Sequence, residues 1–67
     1  MSPAEIKALR ALLRVSQAGL AAGLGVPMNT VARWECRMRT PDAPTRRLLR
    51  LLKADPTLWQ RLLVMDT

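Results

Sequence analysis

At 67 residues the chain is expected to form one domain, spanning 1–67, with a small core. It has no histidine and a single cysteine, Cys36, which excludes histidine relays, zinc ligand sets and internal disulfides; its five acids show no paired spacing of the kind hydrolysis or metal binding needs. The net charge is +6, nine of the eleven basic residues are arginine, no apolar run approaches the ~20 residues that span a bilayer, and no secretory leader pattern opens the chain. The expectation is a cytoplasmic protein that is not an enzyme and uses no cofactor or metal.

The spacing of apolar and capping residues predicts an all-α fold of five helices with no strands. Ser2-Pro3-Ala4-Glu5 reads as a capping box, with serine as N-cap, proline at the first helical position and glutamate three residues after the serine. The first helix then runs to about Leu13 with Ile6, Leu9 and Leu13 on one face. Ser16 caps a second helix that carries Leu20, Ala21 and Leu24 inward and ends at Gly25. A third helix follows Pro27 and ends near Cys36. Pro41, Asp42 and Pro44 predict a loop over 38–44. The fourth helix is expected from about Thr45 to Lys53, and Asp55-Pro56 reads as N-cap and first residue of a fifth, reaching about Val64.

The segment from Ser16 to Glu35, SQAGLAAGLGVPMNTVARWE, concentrates the chemistry. Ala21 is small where two helices must pass closest, and Gly25 stands at a turn that calls for positive φ. Val31 and Trp34, three apart, supply the apolar stripe that docks the third helix onto the second. Asn29 and Arg33, four apart, share another face of that helix. Asparagine pairs bidentately with adenine and arginine with guanine. Around them Arg33, Arg37, Arg39, Arg46, Arg47 and Arg50 fall in a stretch whose only acids are Glu35 and Asp42. Such a cluster reads either as a solvated basic face or as a surface for phosphates, and arginine's planar fork favours the second.

These residues resemble the phage-repressor-like helix-turn-helix family, of the Xre or Cro type, over nearly the whole chain. The likeness is strongest from Ser16 to Glu35, continues through Arg39-Thr40-Pro41, and includes Arg10, since in this family an arginine on the first helix commonly pairs with a glutamate ending the third. Trp34-Glu35 and the leucine-rich stretch from Arg46 to Leu52 are also similar to the DNA-binding domain of MqsA- and HigA-type antitoxins. The resemblance implies a five-helix, lambda-repressor-like DNA-binding domain whose helix-turn-helix is formed by the second and third helices. It places Met28, Asn29 and Arg33 at the base-facing positions, with Arg33 for a guanine, Asn29 for a base or adjacent phosphate, and Met28 for a thymine methyl or plain exposure. Gln17 would hold a phosphate at the head of the second helix. Thr30, Arg37, Arg39 and Arg46 would grip the backbone. Arg10 and Glu35 would be structural first, with Arg10 also near the phosphates.

Three departures from the family pattern are visible. Pro27 stands where a serine or threonine usually caps the third helix. Gly19 and Gly23 lie inside the second, and Gly23 is expected to admit a close approach by a helix or DNA. Arg37 takes a position where the family often has glycine, so the third helix is expected to continue rather than force an arginine to positive φ.

The last two helices carry more leucine than one small core needs. Those residues either fill the core or form a two-fold seam built from the fifth helix and part of the fourth, over about 45–64. The seam is expected to use Leu58, Trp59, Leu62 and Leu63, with Trp59 as anchor. A dimer would read two half-sites about one DNA turn apart, so the expected partners are a second copy and double-stranded DNA bearing an inverted-repeat operator. The expected function is transcriptional regulation, as a repressor of the chain's own or a neighbouring small operon. The alternative is a protein-interaction module, such as an antitoxin whose main partner is a toxin.

Overall fold

Five helices and no strand make up the described residues of the chain, in a computed structural model that describes residues 1–65; Asp66 and Thr67 lie outside the described residues. The helices are α1 (Pro3–Leu13), α2 (Gln17–Leu24), α3 (Met28–Glu35), α4 (Ala43–Ala54) and α5 (Leu58–Val64).

Local chemistry sets most of the boundaries. At the start of α1, Glu5 N donates to Ser2 Oγ and Ser2 N donates to Glu5 Oε1, both at 3.2 Å, which completes the capping box. Gly19 N donates to Ser16 Oγ at 3.0 Å to cap α2. Pro27 precedes α3 with no side-chain cap, because proline has no oxygen to offer there.

Two boundaries differ from the sequence expectation. The fourth helix begins at Ala43 rather than near Thr45, because the Asp42 carboxylate accepts Thr45 N at 3.1 Å and makes Asp42 an N-cap. Pro44 then sits in the first turn, where its missing N–H removes no intrahelical bond. The fifth helix begins at Leu58 rather than Pro56. Asp55 does not cap the helix itself; its carboxylate accepts Thr57 N at 3.2 Å and holds a turn over 55–57.

The core is one cluster with a contribution from every helix: Ile6 and Leu9 of α1, Leu20 and Ala21 of α2, Val31 and Trp34 of α3, Leu49 and Leu52 of α4, and Trp59 of α5. Burying a leucine, isoleucine or valine contributes about 1.5–3 kcal/mol. α3 packs on both α2 and α1, α4 packs on α1, and α5 packs on α2. The short α3 is thereby held along one side, and its other side faces out.

Candidate nucleic-acid interface

The third helix is divided lengthwise. Val31, Trp34 and Glu35 are buried, at 0%, 5% and 8% exposure, while Asn29 and Arg33 are exposed and Met28 is 53% exposed. The split follows from the sequence: residues three apart on a helix share a face, so Val31 and Trp34 turn inward together, and Asn29 and Arg33, four apart, share another. The Arg33 guanidinium and the Asn29 amide make no hydrogen bond or ion pair within the described residues. Their donors and acceptors are open to a ligand.

Glu35 is the electrostatic centre behind this face. Its side chain, 3% exposed, accepts Arg10 Nε at 2.6 Å on Oε2 and Arg10 Nη2 at 2.8 Å on Oε1. Such a forked pair fixes geometry as well as charge. Gln17 Nε2 donates to the same Oε1 at 3.2 Å, and Arg10 Nη1 donates to the Val15 carbonyl at 3.4 Å. One buried carboxylate therefore ties together α1, the head of α2 and the end of α3. The hydrogen bonds from Arg10 hold the Glu35 carboxyl below the usual carboxylate range against the opposing effect of burial, and Gln17 adds to the lowering. The same bridge raises Arg10 above its ordinary value.

The remaining predicted phosphate residues fall into two settings. Thr30 and Arg39, nine residues apart in sequence, line one groove of about 230 Å³ with Val26, Trp34, Thr40 and Thr45. Arg37 and Arg39 are exposed and Arg46 is half-exposed, all three on or just beyond the 36–42 connection. Arg37 does take positive φ, at 65°, and α3 stops at Glu35; the expected continuation of the helix is corrected. Met38 N donates to the Arg33 carbonyl at 3.0 Å, a bond that closes the helix end only if Arg37 is left-handed. Arg14 adopts the same backbone region, at φ 58°. Sequence reasoning passed over it; the signal was its place between the last turn of α1 and the Ser16 cap.

The residues assigned to a dimer seam divide. Trp59 is 3% exposed and belongs to the domain's own core, so the expectation that it anchors an interface is corrected: its ring lies against the backbone of Gly23 on α2. Leu58 and Leu62 are half-buried and pack on the core, whereas Leu63 is 46% exposed. Leu62 and Leu63 line an apolar groove of about 390 Å³ with Ala22, Gly23, Gly25 and Met65.

Among the described residues no cluster of histidine, cysteine or carboxylate side chains could hold a metal ion, and no helix is long and apolar enough to cross a membrane. No family model, curated protein or solved structure matches the chain.

Proposed function

We propose that this chain is a sequence-specific DNA-binding regulator of the cytoplasm, a homodimeric repressor of its own or a neighbouring small operon. In this reading the fold is a lambda-repressor-like domain, α2 and α3 form its helix-turn-helix, and α3 enters the major groove. The observation that carries it is the lengthwise division of α3. Buried Val31 and Trp34 fix the helix, and exposed, unpartnered Asn29 and Arg33 stand one turn apart on the open side. Arg33 pairs with a guanine, Asn29 with an adenine or a phosphate, and Met28 lies against a thymine methyl. Arg10, Gln17, Thr30, Arg37, Arg39 and Arg46 hold the sugar-phosphate backbone and set the register. Gln17 has one amide hydrogen on Glu35 and a second to give to a phosphate. Repression is steric: two recognition helices in successive major grooves exclude polymerase from the promoter.

A specific observation favours a second reading. The apolar groove between α2 and α5, with Leu63 and Met65 exposed beside it, fits a protein partner such as a toxin, with DNA binding secondary.

Selection from a random duplex pool at physiological salt tests the proposal. Enrichment of an inverted repeat with half-sites about one turn, ~34 Å, apart supports dimeric operator binding. Enrichment of a lone half-site keeps DNA recognition and removes the dimer. No enrichment overturns the regulator and leaves the protein partner as the better reading.

A further inference from the structure

Three helices of this domain end with the same closing hydrogen bond, from a backbone N–H to the carbonyl five residues earlier. Val15 N donates to the Arg10 carbonyl, Val26 N to the Ala21 carbonyl and Met38 N to the Arg33 carbonyl, each at 3.0 Å. In each case the residue before the donor is left-handed: Arg14 at φ 58°, Gly25 at φ 78° and Arg37 at φ 65°. Glycine takes this conformation freely, whereas an L side chain crowds the backbone carbonyl. The chain therefore uses glycine at one of these three left-handed positions and arginine at the other two.

Nothing within the fold accounts for those arginines. Both are exposed, and neither side chain has a hydrogen-bond or ion-pair partner among the described residues. The described carboxylates are engaged elsewhere: Glu5 by Ser2 and Lys53, Glu35 by Arg10 and Gln17, Asp42 by Thr45, and Asp55 by Thr57. Residues kept against their backbone preference concentrate where a site needs them. The two positions also share a neighbourhood. Arg14 precedes Val15, whose carbonyl accepts Arg10, and stands three residues before Gln17; Arg37 follows Glu35 by two. Chain connectivity thus keeps the backbone of both left-handed arginines close to the Arg10–Gln17–Glu35 cluster.

We propose that Arg14 and Arg37 are a pair of phosphate-contacting residues at two helix ends beside this cluster, each kept at the expense of fold stability for the charge it presents to DNA. The inference rests on the DNA-binding reading above. It adds Arg14 to the contact surface and explains why two turns built for glycine hold arginine.

The test uses the full chain with Arg14→Gly and Arg37→Gly, singly and together, and Arg61→Gln as a control that removes an exposed charge from α5. Thermal melting reads the fold, and binding to a fluorescent mixed-sequence duplex across a salt series reads the contacts. Each glycine variant is expected to melt a few degrees higher than wild type. Its log–log salt slope should flatten by about 0.9, with about fivefold weaker binding at 0.15 M salt, while Arg61→Gln leaves the slope unchanged. Glycine variants that bind with the wild-type slope overturn the inference, as does an equal flattening by Arg61→Gln, which would make the effect one of net charge. Wild-type protein that binds no duplex overturns the DNA reading itself, an outcome distinct from a binder whose glycine variants are unaffected.

Discussion

The backbone of Gly23 lies against the indole ring of Trp59, so closely that a Cβ on Gly23 would overlap Cη2, Cζ2 and Cζ3 of the ring. This contact helps dock α5 on α2. A glycine inside a helix ordinarily weakens it by about 1 kcal/mol relative to alanine. Here it makes room for one of the two tryptophans in the core, and the ring buried against it cannot serve a second copy of the chain.

Gly23→Ala is therefore expected to destabilise the domain by about 1–3 kcal/mol, because the clash with the ring outweighs the gain in helix propensity. In a Trp59→Leu background the same substitution should be neutral or stabilising, since the obstructing ring is gone. Urea denaturation of the four proteins in this cycle measures the coupling. A stabilising Gly23→Ala in the wild-type background would refute the contact.

Glu35 gives a pH-dependent prediction. Its folded-state pKa is lowered by the hydrogen bonds from Arg10, so the unfolded state binds the proton more readily. The bridge contributes its full stability above the unfolded value of about 4.3, and that contribution is lost as pH falls through the lower folded value. Glu35→Gln should lose about 1–3 kcal/mol at neutral pH and show a shallower decline below pH ~4.3. Melting curves across the acid range test this; parallel decline in the two proteins would mean that Glu35 does not carry the acid sensitivity.

Much of this architecture is written locally. Ser2, Glu5 and Ser16 name helix starts through side-chain oxygens placed at fixed offsets, and Gly25 names a turn through its φ. The inward face of α3 is legible because Val31 and Trp34 fall three apart. What escaped were features set by partners distant in sequence or by competing local rules. Pro44 reads as a helix breaker until Asp42 makes it a first-turn residue. A close approach at Gly23 is expected from its place inside α2, but the group that approaches, Trp59, lies 36 positions later, so Trp59 reads as an interface anchor instead. Arg14 and Arg37 carry no composition signal for positive φ, since the hydrogen bonds that close the helix ends impose it. For the candidate site, exposure of Asn29 and Arg33 could be read from periodicity, whereas the three-way linkage at Glu35 depends on how α1, α2 and α3 converge.

The proposed division of labour between α3 and the 36–42 connection predicts two distinct binding phenotypes. Arg33→Ala is expected to weaken the selected operator by about 1–3 kcal/mol and to relax preference at one base pair. Arg39→Ala should weaken all duplexes alike and reduce the salt slope by about 1. Titrations of both variants against the selected site, a single-base variant of it and a mixed-sequence duplex distinguish the two. Identical losses of specificity would show that base reading and phosphate gripping are not divided between these residues.

With Trp59 in the core, the proposed dimer has only the outer residues of α5 for its seam, and Leu63 becomes the informative position. It is 46% exposed at the rim of the groove that Gly23, Gly25 and Leu62 also line, so a charge there does not enter the core. Leu63→Glu is expected to leave the helical circular dichroism unchanged and to convert dimers to monomers in sedimentation equilibrium. Trp59→Ala, by contrast, should cost about 3–5 kcal/mol of fold stability whatever the assembly state, because it empties part of the core. The pair separates seam from core: dimers that survive Leu63→Glu would take α5 out of the interface. If instead the variant is monomeric, operator affinity should fall while half-site preference persists, since Asn29 and Arg33 are untouched and only the second recognition helix has been removed.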